Sequence, residues 1–66
     1  MLNFTDHIHR IPVLSDLALK HVQEQKFDLA REDLFNISIN VNEAIQQLDD
    51  FIVALYQNSD PSRNQN

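Results

Sequence analysis

An apolar repeat runs through residues 27–55, FDLAREDLFNISINVNEAIQQLDDFIVAL. Apolar residues recur there at alternating steps of three and four, which is the spacing of one face of an α-helix. The repeat comprises Phe27, Ala30, Leu34, Ile37, Val41, Ala44, Leu48, Phe51 and Leu55. Because it holds over about four heptads, we predict one long helix spanning about 28–57, with Asp28 as its N-cap. In its second half Ile45 and Ile52 widen the apolar face, as is typical of a helix bundle.

Residues 35–41 also fit a different element. Phe35, Ile37, Ile39 and Val41 alternate strictly with polar residues, which is the pattern of a half-buried β-strand. Such a strand would need a partner in residues 2–10 or in a second chain. The short helix that followed it would then begin at Asn42 as its N-cap.

A second apolar face precedes the long helix and predicts a shorter helix spanning about 12–25. It consists of Ile11, Leu14, Ala18 and Val22, with Val13 and Leu17 beside them, and Pro12 fits its first turn. Extending the long helix's repeat backwards places polar residues on it, so the two helices are separate and form a helical hairpin. We expect a single helical domain over 1–57, a loosely ordered segment over 1–10 and a disordered polar tail over 58–66.

The composition limits both the core and the chemistry of the chain. It has 66 residues, no Cys and no Gly, so disulfides, zinc-thiolate sites and glycine-rich phosphate loops are excluded. A chain of this length has a small core and usually needs further support. We expect a homodimer, in which two hairpins form an antiparallel four-helix arrangement.

The predicted short helix covers only half of the long one and leaves an apolar surface on its second half. The predicted interface consists of Ala44, Ile45, Leu48, Phe51, Ile52 and Leu55. The net charge is -5, and no Lys or Arg occurs from residue 32 to residue 62. We therefore expect an acidic surface at Glu43, Asp49 and Asp50 that favours a basic protein partner.

The residues give little support to catalysis or metal binding. Asp6, His7 and His9 lie close together, but no fourth ligand is evident, and we interpret them as a solvated segment rather than a metal site. His21 lies at the edge of the first apolar face, where an imidazole either packs or acts as a pH switch. No serine has a histidine at helical spacing, and the basic residues are too few and too scattered for nucleic acid. We expect no cofactor, no enzymatic activity and no membrane span, and a cytoplasmic location.

These observations predict a small acidic interaction or regulatory module that binds a protein partner through the second half of its long helix. An alternative is an inhibitor or nucleic-acid mimic that binds a basic protein directly through its carboxylates.

Overall fold

The computed structural model describes residues 3–59 as two α-helices, α1 over Phe4–Gln23 and α2 over Phe27–Ser59. Residues 24–26 join them in a short turn, and the helices pack against each other along their length as an all-α hairpin. Within this part of the chain the structure contains no strand, and residues 35–41 lie inside α2. The helical interpretation of that stretch is therefore confirmed, and the strand alternative is wrong. Neither α1 nor α2 combines the length and hydropathy needed to cross a bilayer.

Helix α1 begins eight residues earlier than the predicted start near residue 12, because Asn3 caps it. The Asn3 side-chain oxygen accepts from the backbone N–H of Asp6 at 3.0 Å, and Asp6 Oδ2 accepts from the N–H of Asn3 at 3.4 Å. This reciprocal capping box satisfies backbone donors that a helix start otherwise leaves free. The expectation of a loosely ordered segment over 1–10 is wrong for residues 4–10. Residues 1 and 2 lie outside the described residues.

Pro12 lies inside α1 rather than in its first turn. Proline lacks the N–H that would donate to the carbonyl of Ile8. A proline in a helix interior is about 3 kcal/mol less favourable than an alanine. Pro12 is exposed, so water can reach the carbonyl that it leaves unpaired. The helix continues through it because α1 is capped at Asn3 and packed against α2 on its buried side.

Helix α1 ends at the turn without a glycine. The Lys26 N–H donates to the carbonyl of His21 at 2.7 Å, and the Gln25 N–H donates to the carbonyl of Val22 at 3.0 Å. This pair of bonds is a Schellman motif, which needs one residue in the left-handed region. Gln25 takes that role with φ of 61°. Beside it, the Lys26 ammonium lies 3.1 Å from the carboxylate of Glu24 and lowers the pKa of that carboxyl.

Helix α2 differs from the predicted long helix only at its ends. It starts at Phe27, so Asp28 lies in its first turn rather than at the N-cap. An acidic side chain there still interacts favourably with the positive end of the helix dipole. The helix runs to Ser59, so residues 58 and 59 are helical rather than part of a tail. The rest of the predicted tail lies outside the described residues.

The core is a narrow seam of small side chains between the helices. Ala18, Ala30 and Ala44 are the buried apolar residues among those described, and no large side chain there is fully buried. Alanine allows two helix backbones to approach closely, but it removes little apolar area from water. Larger residues such as Leu14 and Ile37 are half-buried at the margins of the seam. Much of the apolar surface of both helices therefore stays exposed.

The left-handed Gln25 yields a stability prediction. A non-glycine residue in this region costs about 1–2 kcal/mol, and glycine recovers part of that at some loss of unfolded-state entropy. We expect Gln25→Gly to raise the free energy of unfolding by about 0.5–1 kcal/mol. The measurement is chemical denaturation followed by circular dichroism at a fixed protein concentration.

Gln46→Gly is the matched control, since Gln46 is exposed in the middle of α2. It should lower the free energy of unfolding by about 1 kcal/mol. Equal destabilisation by both substitutions would contradict the role of Gln25 in ending α1.

Candidate functional site

Helix α1 covers more of α2 than its predicted length allowed. The ring of Phe4, the first residue of α1, packs against the ring of Phe51 with centroids 5.7 Å apart and an interplanar angle of 54°. Beyond Phe51, α2 continues for about two more turns to Ser59, past the first residue of α1. The length of α2 that extends beyond α1 is therefore its last two turns rather than its whole second half.

The six residues of the predicted interface divide into two groups. Ala44 is 5% exposed and Leu48 is half-buried, so the hairpin itself takes up these positions. The other four keep 45% to 53% of their surface exposed to solvent: Ile45, Phe51, Ile52 and Leu55. The predicted surface therefore persists as a flank and an end of α2, without the buried Ala44.

An apolar flank extends this surface along the whole of α2. Phe27, Leu34, Ile45 and Ile52 are separated by seven, eleven and seven residues, which are close to whole numbers of helical turns. All four are at least 45% exposed. Phe27 and Leu34 belong to the apolar repeat of the sequence, but the inner face of α2 lies slightly to one side of them.

The corresponding flank of α1 lies on the same side of the hairpin. On the opposite side, residues of both helices line a shared groove of about 700 Å³, formed by His7, His9, Arg10, Val13, Leu14, Asn36, Ile39 and Asn40. The helical period then places the remaining flanks of both helices together, away from the groove. Ile8, Leu19 and Val22 of α1 are exposed there at 46%, 59% and 46%.

We call this surface the charge-free side. It consists of Ile8, Ile11, Pro12, Ser15, Leu19 and Val22 of α1 and Phe27, Leu34, Ser38, Val41, Ile45, Leu48 and Ile52 of α2. None of these residues is charged, although 15 of the 66 residues in the chain are Asp, Glu, Lys or Arg. An apolar surface of this extent is uncommon on a soluble monomer and is typical of an interaction site.

The predicted acidic residues lie beside this surface rather than within it. Glu43, Asp49 and Asp50 are all exposed. Glu43 and Asp50, seven residues apart, share the groove side of α2, whereas Asp49 lies at the edge of the charge-free side. The carboxylates are therefore divided between two sides of α2 and do not form one dense array.

One buried polar pair joins the helices far from the turn. His7 and Asn40 are 8% and 7% exposed, and His7 Nδ1 lies 2.7 Å from Asn40 Oδ1. Because that oxygen only accepts, the imidazole donates through Nδ1–H. The Asn40 amide nitrogen donates in turn to the carbonyl of Asn36 at 2.8 Å. No pattern in the sequence indicates the role of Asn40, because its contact with His7 joins residues 33 positions apart.

A second polar pair joins the helices near the turn. His21 Nδ1 lies 2.6 Å from Asp33 Oδ2, with the two side chains 17% and 9% exposed. The imidazole Nδ1–H donates to the carboxylate, which is a charge-assisted hydrogen bond. Among the described residues that are not exposed, no buried side-chain nitrogen or oxygen lacks a hydrogen-bond partner. Both pairs are thus polar contacts of the seam itself.

The three N-terminal residues that were considered as metal ligands have different roles in the structure. Asp6 caps α1, His7 bonds Asn40, and His9 is exposed at the groove. No group of three or more His, Cys, Asp or Glu in the described part of the chain is arranged to hold a metal ion. Asp6, His7 and His9 are therefore close in sequence but are not arranged as a set of metal ligands.

The His7–Asn40 bond predicts strong coupling between two core positions. His7→Leu leaves the side-chain oxygen of Asn40 buried without the imidazole N–H that donates to it. We therefore expect a loss of about 1–3 kcal/mol in the free energy of unfolding. Replacing both residues by leucine removes donor and acceptor together and should restore most of that loss. A double-mutant cycle by chemical denaturation measures the coupling.

His9→Leu is the matched control, because His9 is exposed and two residues away. It should change the free energy of unfolding by no more than about 0.5 kcal/mol. Additive effects of the two core substitutions would show that the hydrogen bond contributes nothing.

Comparison with known proteins supplies no relative: no protein-family model, curated protein or solved structure matches this chain. The hairpin presents three surface features to other molecules. They comprise the charge-free side, the exposed end of α2 and the divided carboxylates.

Proposed function

We propose that this chain is a non-enzymatic interaction module that binds a protein partner through the second half of α2. The observation that carries the proposal is the 45% to 53% exposure of four large apolar side chains in the second half of α2: Ile45, Phe51, Ile52 and Leu55. Each of these large apolar side chains would be removed from water by a partner helix or groove, at about 25 cal/mol per Å². Burial of this kind supplies most of the affinity in protein interfaces.

The carboxylates of Glu43, Asp49 and Asp50 make the choice of partner more specific and its association faster. They are exposed, so their interaction with a partner is screened by water and contributes modestly to affinity. Their field accelerates association with a basic surface and disfavours an acidic one. A partner with basic residues around an apolar groove fits both properties.

The alternative of a nucleic-acid mimic would need the carboxylates to provide the main binding energy. Mimicry of a phosphate backbone requires closely and regularly spaced negative charges. Because Asp49 is on a different side of α2 from Glu43 and Asp50, a single basic surface would meet only part of the set. The apolar contact is therefore the better supported of the two functions.

Two adjacent residues of α2 provide the main test. Ile52 and Val53 are similarly exposed, at 45% and 53%, but lie on different sides of the helix. We expect Ile52→Asp to weaken partner binding at least tenfold, by about 1.4 kcal/mol or more, because a carboxylate would be buried in the interface. Val53→Asp should change it by less than about threefold.

The measurement uses the full chain as bait for affinity capture from its native cell, followed by titration of the captured protein. Equal binding by the Ile52→Asp and Val53→Asp variants would contradict the proposed surface. Circular dichroism of both variants confirms that the helices remain.

Charge reversal distinguishes the proposed function from the mimic. The triple variant Glu43→Lys, Asp49→Lys and Asp50→Lys should slow association about tenfold at low salt and leave the dissociation rate nearly unchanged. Surface plasmon resonance at two salt concentrations measures both rates. Complete loss of binding at every salt concentration would favour the nucleic-acid mimic instead.

A further inference from the structure

We propose that a second copy of this chain packs antiparallel on the charge-free side, so that two hairpins form a four-helix bundle. The proposal rests on the proposed function, because the exposed end of α2 contributes to this contact. The partner on this surface is then a second copy of the chain, and its orientation is antiparallel.

The first support is the thinness of the core. The buried apolar residues of the described chain are alanines, whereas 16 large apolar residues, eleven of them on α2, remain exposed. A single helical pair cannot bury side chains on its flanks, but a second pair laid over one flank encloses them between two layers. The second copy would thus complete a core that the hairpin leaves open.

The second support is the size of the surface. Seven residues of the charge-free side are each 45% to 62% exposed: Ile8, Leu19, Val22, Phe27, Leu34, Ile45 and Ile52. Together they present on the order of 700 Å², close to the ~800 Å² that each partner buries in an interface of standard size. The surface is therefore large enough for a stable isologous contact.

The third support is electrostatic. Two chains of net charge -5 repel each other, so a contact between copies must keep like charges apart. The charge-free side contains no charged residue, and a copy of itself can meet it without burying any.

The orientation follows from the charges at the two ends of the hairpin. Arg31 lies near the turn and Asp49 lies towards the far end of α2, and both are at the edge of the charge-free side. A parallel arrangement would place the two Asp49 carboxylates at the same end, whereas an antiparallel arrangement places each Asp49 near Arg31 of the other copy.

A two-fold axis near Val41 satisfies this arrangement. Residues equally distant from Val41 along α2 then face each other, so Leu34 of one copy meets Leu48 of the other. On the edge of the same surface, Arg31 of one copy comes near Asp49 of the other. The last two turns of each α2 then lie over the turn of the opposite hairpin, where Leu19 and Phe27 are exposed.

The wild-type chain gives the primary test. Analytical ultracentrifugation should report about twice the 7.7 kDa of one chain at micromolar concentration. The thermal unfolding midpoint should rise with protein concentration, because association stabilises the folded chains. A mass of 7.7 kDa with a midpoint independent of concentration would overturn the proposal.

Leu34→Asp and Phe35→Asp test the face. Leu34 and Phe35 are adjacent and exposed at 58% and 64%, but only Leu34 belongs to the charge-free side. We expect Leu34→Asp to raise the dimer dissociation constant at least about a hundredfold, and Phe35→Asp to change it by less than about threefold. Equal effects of the two substitutions would overturn the assignment of the face.

Arg31→Glu and Asp49→Arg test the orientation with exposed residues, whose substitution leaves the helices folded. Each single variant should raise the dissociation constant about threefold to tenfold, because it opposes two like charges. The double variant restores opposite charges and should return to within about twofold of the wild type. A double variant weaker than either single one would overturn the antiparallel orientation.

These results also separate the dimer from the proposed function. A monomeric wild type whose captured partner is lost on Ile52→Asp would overturn the second copy as occupant and leave the interaction module intact. A dimer whose captured partner binds the Ile52→Asp and Val53→Asp variants equally would support the second copy and contradict a separate protein partner on α2.

Discussion

Two helices lying side by side share a single line of contact, and the hairpin is organised around that limit. Close approach along the line requires small side chains, which Ala18, Ala30 and Ala44 supply. Every larger apolar residue must then lie beside the seam or away from it. The same packing that brings α1 and α2 together therefore leaves most of the apolar area of the chain in contact with water.

The polar residues of the seam define how the helices align. A row of alanines alone permits several registers, because one small side chain packs much like another. His7 pairs with Asn40 and His21 pairs with Asp33, so the alignment is fixed near each end of α1. A slip by one turn would separate both pairs and leave buried polar atoms without partners. The pairs thus provide specificity in a seam whose apolar contacts supply little.

The hairpin and its long second helix could be predicted from the sequence, because nine apolar positions repeat over residues 27–55. The start of α1 was missed, since its signal is a cap at Asn3 and Asp6 rather than an apolar repeat. Four of the six predicted interface residues are exposed, and Ala44 and Leu48 are not, because a longer α1 covers them. The contribution of α1 to the charge-free side depends on how the two helices are rotated, which follows from packing and not from either repeat alone.

The spacing of the two polar pairs along the chain has a consequence for folding. His21 and Asp33 are 12 residues apart, whereas His7 and Asn40 are 33 apart. The entropic cost of loop closure rises with separation, so we expect the pair nearest the turn to form first and the remaining contacts between the helices to form outward from it. The first turns of α1 are then the last to dock and the first to fray. We expect each local unfolding of this end of α1 to expose Ala44 and Leu48. The exposed apolar surface of α2 is then longer while the end of α1 is undocked than when it is packed.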